Sequence, residues 1–107
     1  MNIITKTDIE LTPSLASYLE KKFSQLDKFV VAVAKTNPSE LKIEIKRTTK
    51  HHRKGDVYHV VAAFRAAKVS LRADAEADDV LAAIDAAKDT LRKEIENYKE
   101  YEDEKSK

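Results

Sequence analysis

Positions 46 to 54 read Lys46-Arg47-Thr48-Thr49-Lys50-His51-His52-Arg53-Lys54, and seven of these nine residues are Lys, Arg or His. The run ends at Gly55, the only glycine of the chain, and a β-like segment follows it. The chemistry open to such a run is phosphate binding. Clustered cations replace the counterions condensed on a nucleic acid, and their release supplies affinity that ignores sequence. A solvated surface loop is the bland alternative for any charge run. His51 and His52 add donors whose charge rises as pH falls through about 6.5.

Other chemistries find little support. Adjacent histidines rarely hold one ion, and no cysteine or compact carboxylate cluster joins His51, His52 and His59, so no metal site is expected. Asp78, Asp79, Asp85 and Asp89 sit at a helix start or beside an apolar stripe, where capping and solvation explain them better than paired acid–base work. A single glycine allows no phosphate-cradling Gly-rich loop. Neither an enzyme nor a cofactor is expected. Tyr58 and Phe64 share a face with Val60 and Ala62, a core pattern rather than a base-stacking one. Tyr98 and Tyr101 are the better candidates for exposed aromatics.

The elements that position these residues follow from periodicity. A short strand is expected around Ile3 to Thr7. Thr12-Pro13 starts a helix, since Thr caps and Pro suits the first helical position. Leu15, Leu19, Phe23, Leu26 and Phe29 then mark one helix face, and Asn37-Pro38-Ser39 signals a turn. Leu41, Ile43 and Ile45 alternate with Lys42, Glu44 and Lys46 in a half-buried strand. After the basic loop, strands are expected from Val57 to Arg65 and from Lys68 to Asp74, although their alanines also suit helix. From Ala77 the period changes, and Val80, Ile84, Ala87, Leu91, Ile95 and Tyr98 form a helical stripe.

The resulting order is β-α-β-β-β-α. Two helices should cover one face of a four-stranded, mainly antiparallel sheet in a two-layer α+β fold. Residues 1–99 form the domain in this reading, and residues 100–107 a polar, acidic tail. A chain of 107 residues suits one domain. It has no cysteine, no apolar run near the roughly 20 residues that span a bilayer, and no signal-peptide pattern, so a cytoplasmic location is expected. Net charge is +1, but unevenly spread: residues 1–39 carry +1, residues 40–75 carry +5 and residues 76–107 carry −5. Such a chain can turn a basic face to a polyanion.

Three stretches resemble the ribosome hibernation promoting factor and ribosome-associated inhibitor A family. One is Ile9-Glu10-Leu11-Thr12-Pro13-Ser14-Leu15, leading into Tyr18-Leu19-Glu20-Lys21-Lys22 and Leu26-Asp27-Lys28. Another is the His/Lys-rich His51-His52-Arg53-Lys54-Gly55-Asp56-Val57-Tyr58. The last is Leu71-Arg72-Ala73, then Asp79-Val80-Leu81-Ala82-Ala83-Ile84-Asp85 and Leu91-Arg92-Lys93. The resemblance implies a fold like a double-stranded RNA-binding domain. It also implies a non-enzymatic factor that fills the mRNA and tRNA channel of the small ribosomal subunit and idles ribosomes under stress. Carried across residue by residue, it marks Lys22 and Lys28 in the first helix and Lys93, with Arg92 beside it, in the second.

The chain departs from the family at Gln25 and Thr90, where basic residues are common, and at Glu94 and Glu96. The expected rRNA contacts are therefore Lys22, Lys28, Lys46, Arg47, Lys50, His52, Arg53, Lys54, Arg92 and Lys93, weighted toward the loop and the first helix. A short form without the dimerising C-terminal domain is expected, monomeric off the ribosome. The rival readings are a duplex-RNA-binding module not specific to ribosomes and a non-RNA protein-interaction domain.

Overall fold

The computed structural model describes residues 2–34, 39–49, 55–66 and 69–105. Its elements follow from the alternations and stripes above, with boundaries set by local hydrogen bonds. Strand β1 (Asn2–Thr7) leads to helix α1 (Pro13–Ser24), where Thr12 Oγ1 accepts from the Leu15 N–H at 3.1 Å and Pro13 occupies the first turn. That cap satisfies one orphan donor and is worth about 1 kcal/mol.

The first helical segment is not one helix but two. Gln25 and Leu26 donate to the carbonyls of Lys22 and Phe23 at 3.3 and 3.0 Å, three residues back, which ends α1. Helix α2 (Asp27–Ala34) restarts from the Leu26 carbonyl, which accepts from Phe29 and Val30. The break re-phases the apolar stripe. Leu15, Leu19, Phe23 and Leu26 point inward as expected, but Val30 takes the next inward place and Phe29 is only half-buried.

Strands β2 (Ser39–Thr49), β3 (Asp56–Ala66) and β4 (Val69–Ala77) follow, then helix α3 (Val80–Lys105). The sheet order is β1-β2-β3-β4, with β1 parallel to β2 and the other pairs antiparallel. The hairpin extends further than its period suggested: β4 continues to Ala77, paired with Tyr58. Helix α3 accordingly starts later, and the Asp79 carbonyl accepts its first bond, from Ala83. Asp79 is thus the residue before the helix, a favoured place for Asp. At the other end the helical backbone runs to Lys105, past the expected boundary at residue 99.

The core is a single layer between sheet and helices. Leu41, Ile43 and Ile45 of β2 and Val60, Ala62 and Phe64 of β3 face Leu19, Phe23 and Leu26 and the α3 stripe of Ile84, Ala87, Leu91 and Ile95. Tyr58 packs against this core, as its face predicted. The alanines explain how α3 lies so close to the hairpin. Ala62 pairs with Ala73 under a helix that itself presents Ala83 and Ala87. Small side chains on both layers shorten their separation while keeping the interior filled.

The opposite face of the sheet is open, and apart from exposed Lys6 and Arg65 its charges form ion pairs with one another. Glu40 with Lys42, Glu44 with Lys46 and Arg72 with Asp74 form ion pairs at 3.8, 3.1 and 3.1 Å along single strands. His59 bridges strands, with Nδ1 3.3 Å from Glu76 and Nε2 3.2 Å from Thr48 Oγ1. This face offers a polyanion little net charge.

Candidate nucleic-acid interface

The expected basic loop is partly strand. Lys46 and Arg47 belong to β2, so they point to opposite sides of the sheet. Lys46 joins the open face, 3.1 Å from Glu44. Arg47 continues the row of Ile43 and Ile45 beyond the core. Its N–H donates to Asp8 Oδ1 at 3.1 Å, and its guanidinium lies 3.9 Å from Asp56. Lys50, His52, Arg53 and Lys54 lie outside the described residues. Gly55 follows them with φ +98°, the left-handed conformation that glycine adopts freely.

The helices supply a second cationic surface, and the topology builds it. Asp8 bonds to Ile45, so α1 begins at the sheet end where β2 carries Arg47. Because β4 ends at Ala77 opposite Tyr58, α3 begins at the same end. The two helices therefore run the same way across the sheet, and a seam forms between them. On α3 the seam consists of the residues that follow each inward residue: Asp85, Lys88, Arg92, Glu96 and Lys99. On α1 and α2 it consists of those that precede one: Tyr18, Lys22 and Phe29.

Side-chain contacts close this seam. Tyr18 Oη donates to Asp85 Oδ1 at 2.7 Å, and Lys22 Nζ lies 3.6 Å from the same oxygen and 5.4 Å from the Tyr18 ring centroid. The hydrogen bond to Asp85, then burial, then the charges of Asp85 and Asp79 push the Tyr18 phenol up to about 12. Further along, the Lys88 side chain is only 17% exposed and pairs with Asp89 at 3.4 Å. Arg92 reaches Glu96 at 3.9 Å, and its Nε is buried with no hydrogen-bond partner among the described residues. Lys28 Nζ rests 5.1 Å from the Phe29 centroid. Lys93 is exposed, one residue further round α3 from Arg92.

The structure thus gathers Lys22, Lys28 and Arg92 along one surface and separates Lys46 from it. It adds Lys88 and Lys99, which lie outside the charge run. The signal for both was present, since each follows a residue of the predicted α3 stripe. Four cations of the seam (Lys22, Lys88, Arg92 and Lys99) stand against Asp85 and Glu96, a net charge of +2, with Lys28 and Asp89 at its margins. The acidity of α3 is partly turned aside: Glu94 precedes Ile95 and lies on the other flank of the helix. Tyr98 packs against the core rather than standing exposed. Among the described residues no group of His, Cys, Asp or Glu could hold a metal ion, and no helix is long and apolar enough to cross a membrane.

Solved structures share this architecture. The N-terminal domain of Protein Y from Thermus thermophilus superposes with a TM-score of 0.72 at 23% identity, covering 92% of this chain and 99% of that one. A ribosomal subunit interface protein from Coxiella burnetii superposes with a TM-score of 0.71 at 20% identity, covering 92% and 98%. At these identities the likeness establishes the fold. No curated protein matches the chain significantly. The family model for sigma 54 modulation protein / S30EA ribosomal protein matches residues 2–102. The chain therefore belongs to the sigma 54 modulation protein / S30EA ribosomal protein family, whose function is ribosome-associated hibernation.

Proposed function

We propose that this chain binds the small ribosomal subunit as a monomer in the cytoplasm, without catalysis, and blocks the mRNA and tRNA channel by filling it. The observation that carries this reading is the helix seam. It gathers Lys22, Lys88, Arg92 and Lys99 along one surface that stays net positive even though Lys22 and Arg92 face Asp85 and Glu96, whereas cations and acids nearly balance on the open sheet face. Lys22, Lys28, Arg92 and Lys93 would meet rRNA phosphates from the helices. Arg47, Lys50, His52, Arg53 and Lys54 would extend the contact from the hairpin end, and Lys46 would stand at its margin. Contacts to phosphate hold and orient without reading sequence. Family membership and the Coxiella protein's description as a ribosomal subunit interface protein support the choice of partner.

Binding to purified bacterial small subunits, measured by co-sedimentation across a salt series, tests the proposal. The logarithm of affinity should fall linearly with that of salt, by about 0.9 or less per phosphate neutralised. Lys22→Glu and Arg53→Glu should each weaken binding, and Arg72→Glu on the open sheet face should not. Equal losses from all three would refute the assignment of the surface. Equal affinity for free RNA duplexes would favour the general duplex-binding reading instead.

A further inference from the structure

Between α2 and α3 lies a cavity of about 350 Å³, lined by Lys28, Phe29, Ile95, Glu96 and Lys99. Its interior is apolar: Ile95 is 1% exposed, and Phe29 packs half-buried against the core. Its rim carries two exposed lysines, Lys28 and Lys99. The cavity owes its aromatic wall to the break at Gln25, which turned Val30 inward and left Phe29 on the seam. Lys28 Nζ lies 5.1 Å from the Phe29 centroid. Phe29 is only half-buried and the Lys28 side chain over it is exposed, so this π-face lies within reach of solvent and of a ligand that displaces the lysine.

The lining distinguishes between the parts of an RNA chain. A phosphate at the floor of this cavity would meet the apolar Phe29 and Ile95 and the Glu96 carboxylate, its only donors being the lysines of the rim. A nucleobase has a flat π-face for Phe29, and its exocyclic amino group can donate to a carboxylate. Unstacked bases of single-stranded RNA are held on aromatic side chains in this way. The phosphates on either side of such a base would fall to the lysines of the rim.

We propose that this cavity receives one unpaired nucleobase, stacked on Phe29 with its amino edge toward Glu96 and its flanking phosphates on Lys28 and Lys99. The proposal rests on the rRNA-binding reading and adds a base contact to its phosphate contacts. Lys28 leaves the ring for a phosphate as the base arrives, so a weak surface contact is exchanged for two stronger ones.

Two measurements on the full chain test it. In the first, the Ile95 δ1 methyl is observed by NMR during titration with hexaadenylate, and separately with an abasic ribose-phosphate hexamer of equal charge. A ring-current shift with hexaadenylate alone is expected. Shifts of equal size with both probes, or with neither, would overturn the pocket. In the second, small-subunit affinity is compared for Phe29→Leu, Phe29→Trp and Lys22→Glu. Loss of stacking should weaken Phe29→Leu on the order of tenfold with an unchanged salt slope, while Phe29→Trp retains the parent affinity. Parent-like binding by Phe29→Leu beside weakened Lys22→Glu would overturn the pocket and leave the rRNA reading standing. Failure of the parent chain to bind subunits would overturn both.

Discussion

Asp85 serves the fold and, on the proposed rRNA-binding reading, opposes the ligand. Its Oδ1 accepts the Tyr18 phenol at 2.7 Å and holds Lys22 Nζ at 3.6 Å, joining α1 to α3. To an approaching phosphate the same carboxylate is a like charge, and it already occupies the Lys22 ammonium. At 3.6 Å the bare attraction of the Lys22–Asp85 pair is about 1 kcal/mol in a water-like dielectric. With Lys22 28% and Asp85 44% exposed, the net value stays within the surface range of roughly 0–1 kcal/mol. The substitution Asp85→Asn keeps the shape and an acceptor for Tyr18 but removes the charge. Small-subunit affinity should rise by up to about fivefold, the equivalent of about 1 kcal/mol. The salt slope should steepen by as much as about 0.9, because Lys22 is free to neutralise one more phosphate. Stability should fall by about 1 kcal/mol, because a charge-assisted hydrogen bond becomes a neutral one. Binding across a salt series and urea unfolding of the same protein read both effects. Unchanged or weaker binding with an unchanged slope would refute the view that Lys22 faces phosphate.

Further outcomes follow from single contacts. The folded Tyr18 phenol, at about 12, lies above its ordinary value of 10. The proton therefore favours the fold, and this contribution is complete below pH 10 and lost as pH climbs through about 12. The stability gap between parent and Tyr18→Phe should be constant up to pH 10 and narrow above it; a gap that widens there would contradict the contact. Leu26→Ala, at a residue with 0% exposure in the α1–α2 break, should cost about 3 kcal/mol in urea unfolding, and a loss below about 1 kcal/mol would mean that the break is not packed as described. Gly55→Ala meets no atom within 4 Å, so its cost is that of φ +98° alone, about 1–2 kcal/mol, and a neutral result would contradict that conformation.

The sheet and α3 were legible because their periods are clean. Alternation marked Leu41, Ile43 and Ile45 in β2 and Val60, Ala62 and Phe64 in β3, and all six are buried. Thr12-Pro13 announced α1 by capping chemistry that acts over three residues. The break after Ser24 gave no such signal. No glycine or proline stands there, and either Phe29 or Val30 continues a helical stripe from Leu26. Only the packing of Leu26 beneath the turn decides between them. The end of β4 was obscured because Ala73, Ala75 and Ala77 are strong helix formers that here sit in a strand. Alternation placed Lys46 on the wet face of β2, but the charge run hid that the strand continues and sends Arg47 to the other face. The seam depends on contacts such as Tyr18 with Asp85, which are 67 residues apart in the chain, and local spacing could supply only its two edges.

The absence of cysteine gives a direct way to test which face meets the ribosome. A single cysteine at Asp89→Cys would carry a tethered iron chelate beside the seam, and one at Ser70→Cys would carry it on the open sheet face. Both positions are exposed. Hydroxyl-radical cleavage of small-subunit rRNA should be strong from position 89, confined to the mRNA and tRNA channel, and weak from position 70. Equal cleavage from both positions, or stronger cleavage from position 70, would contradict the account.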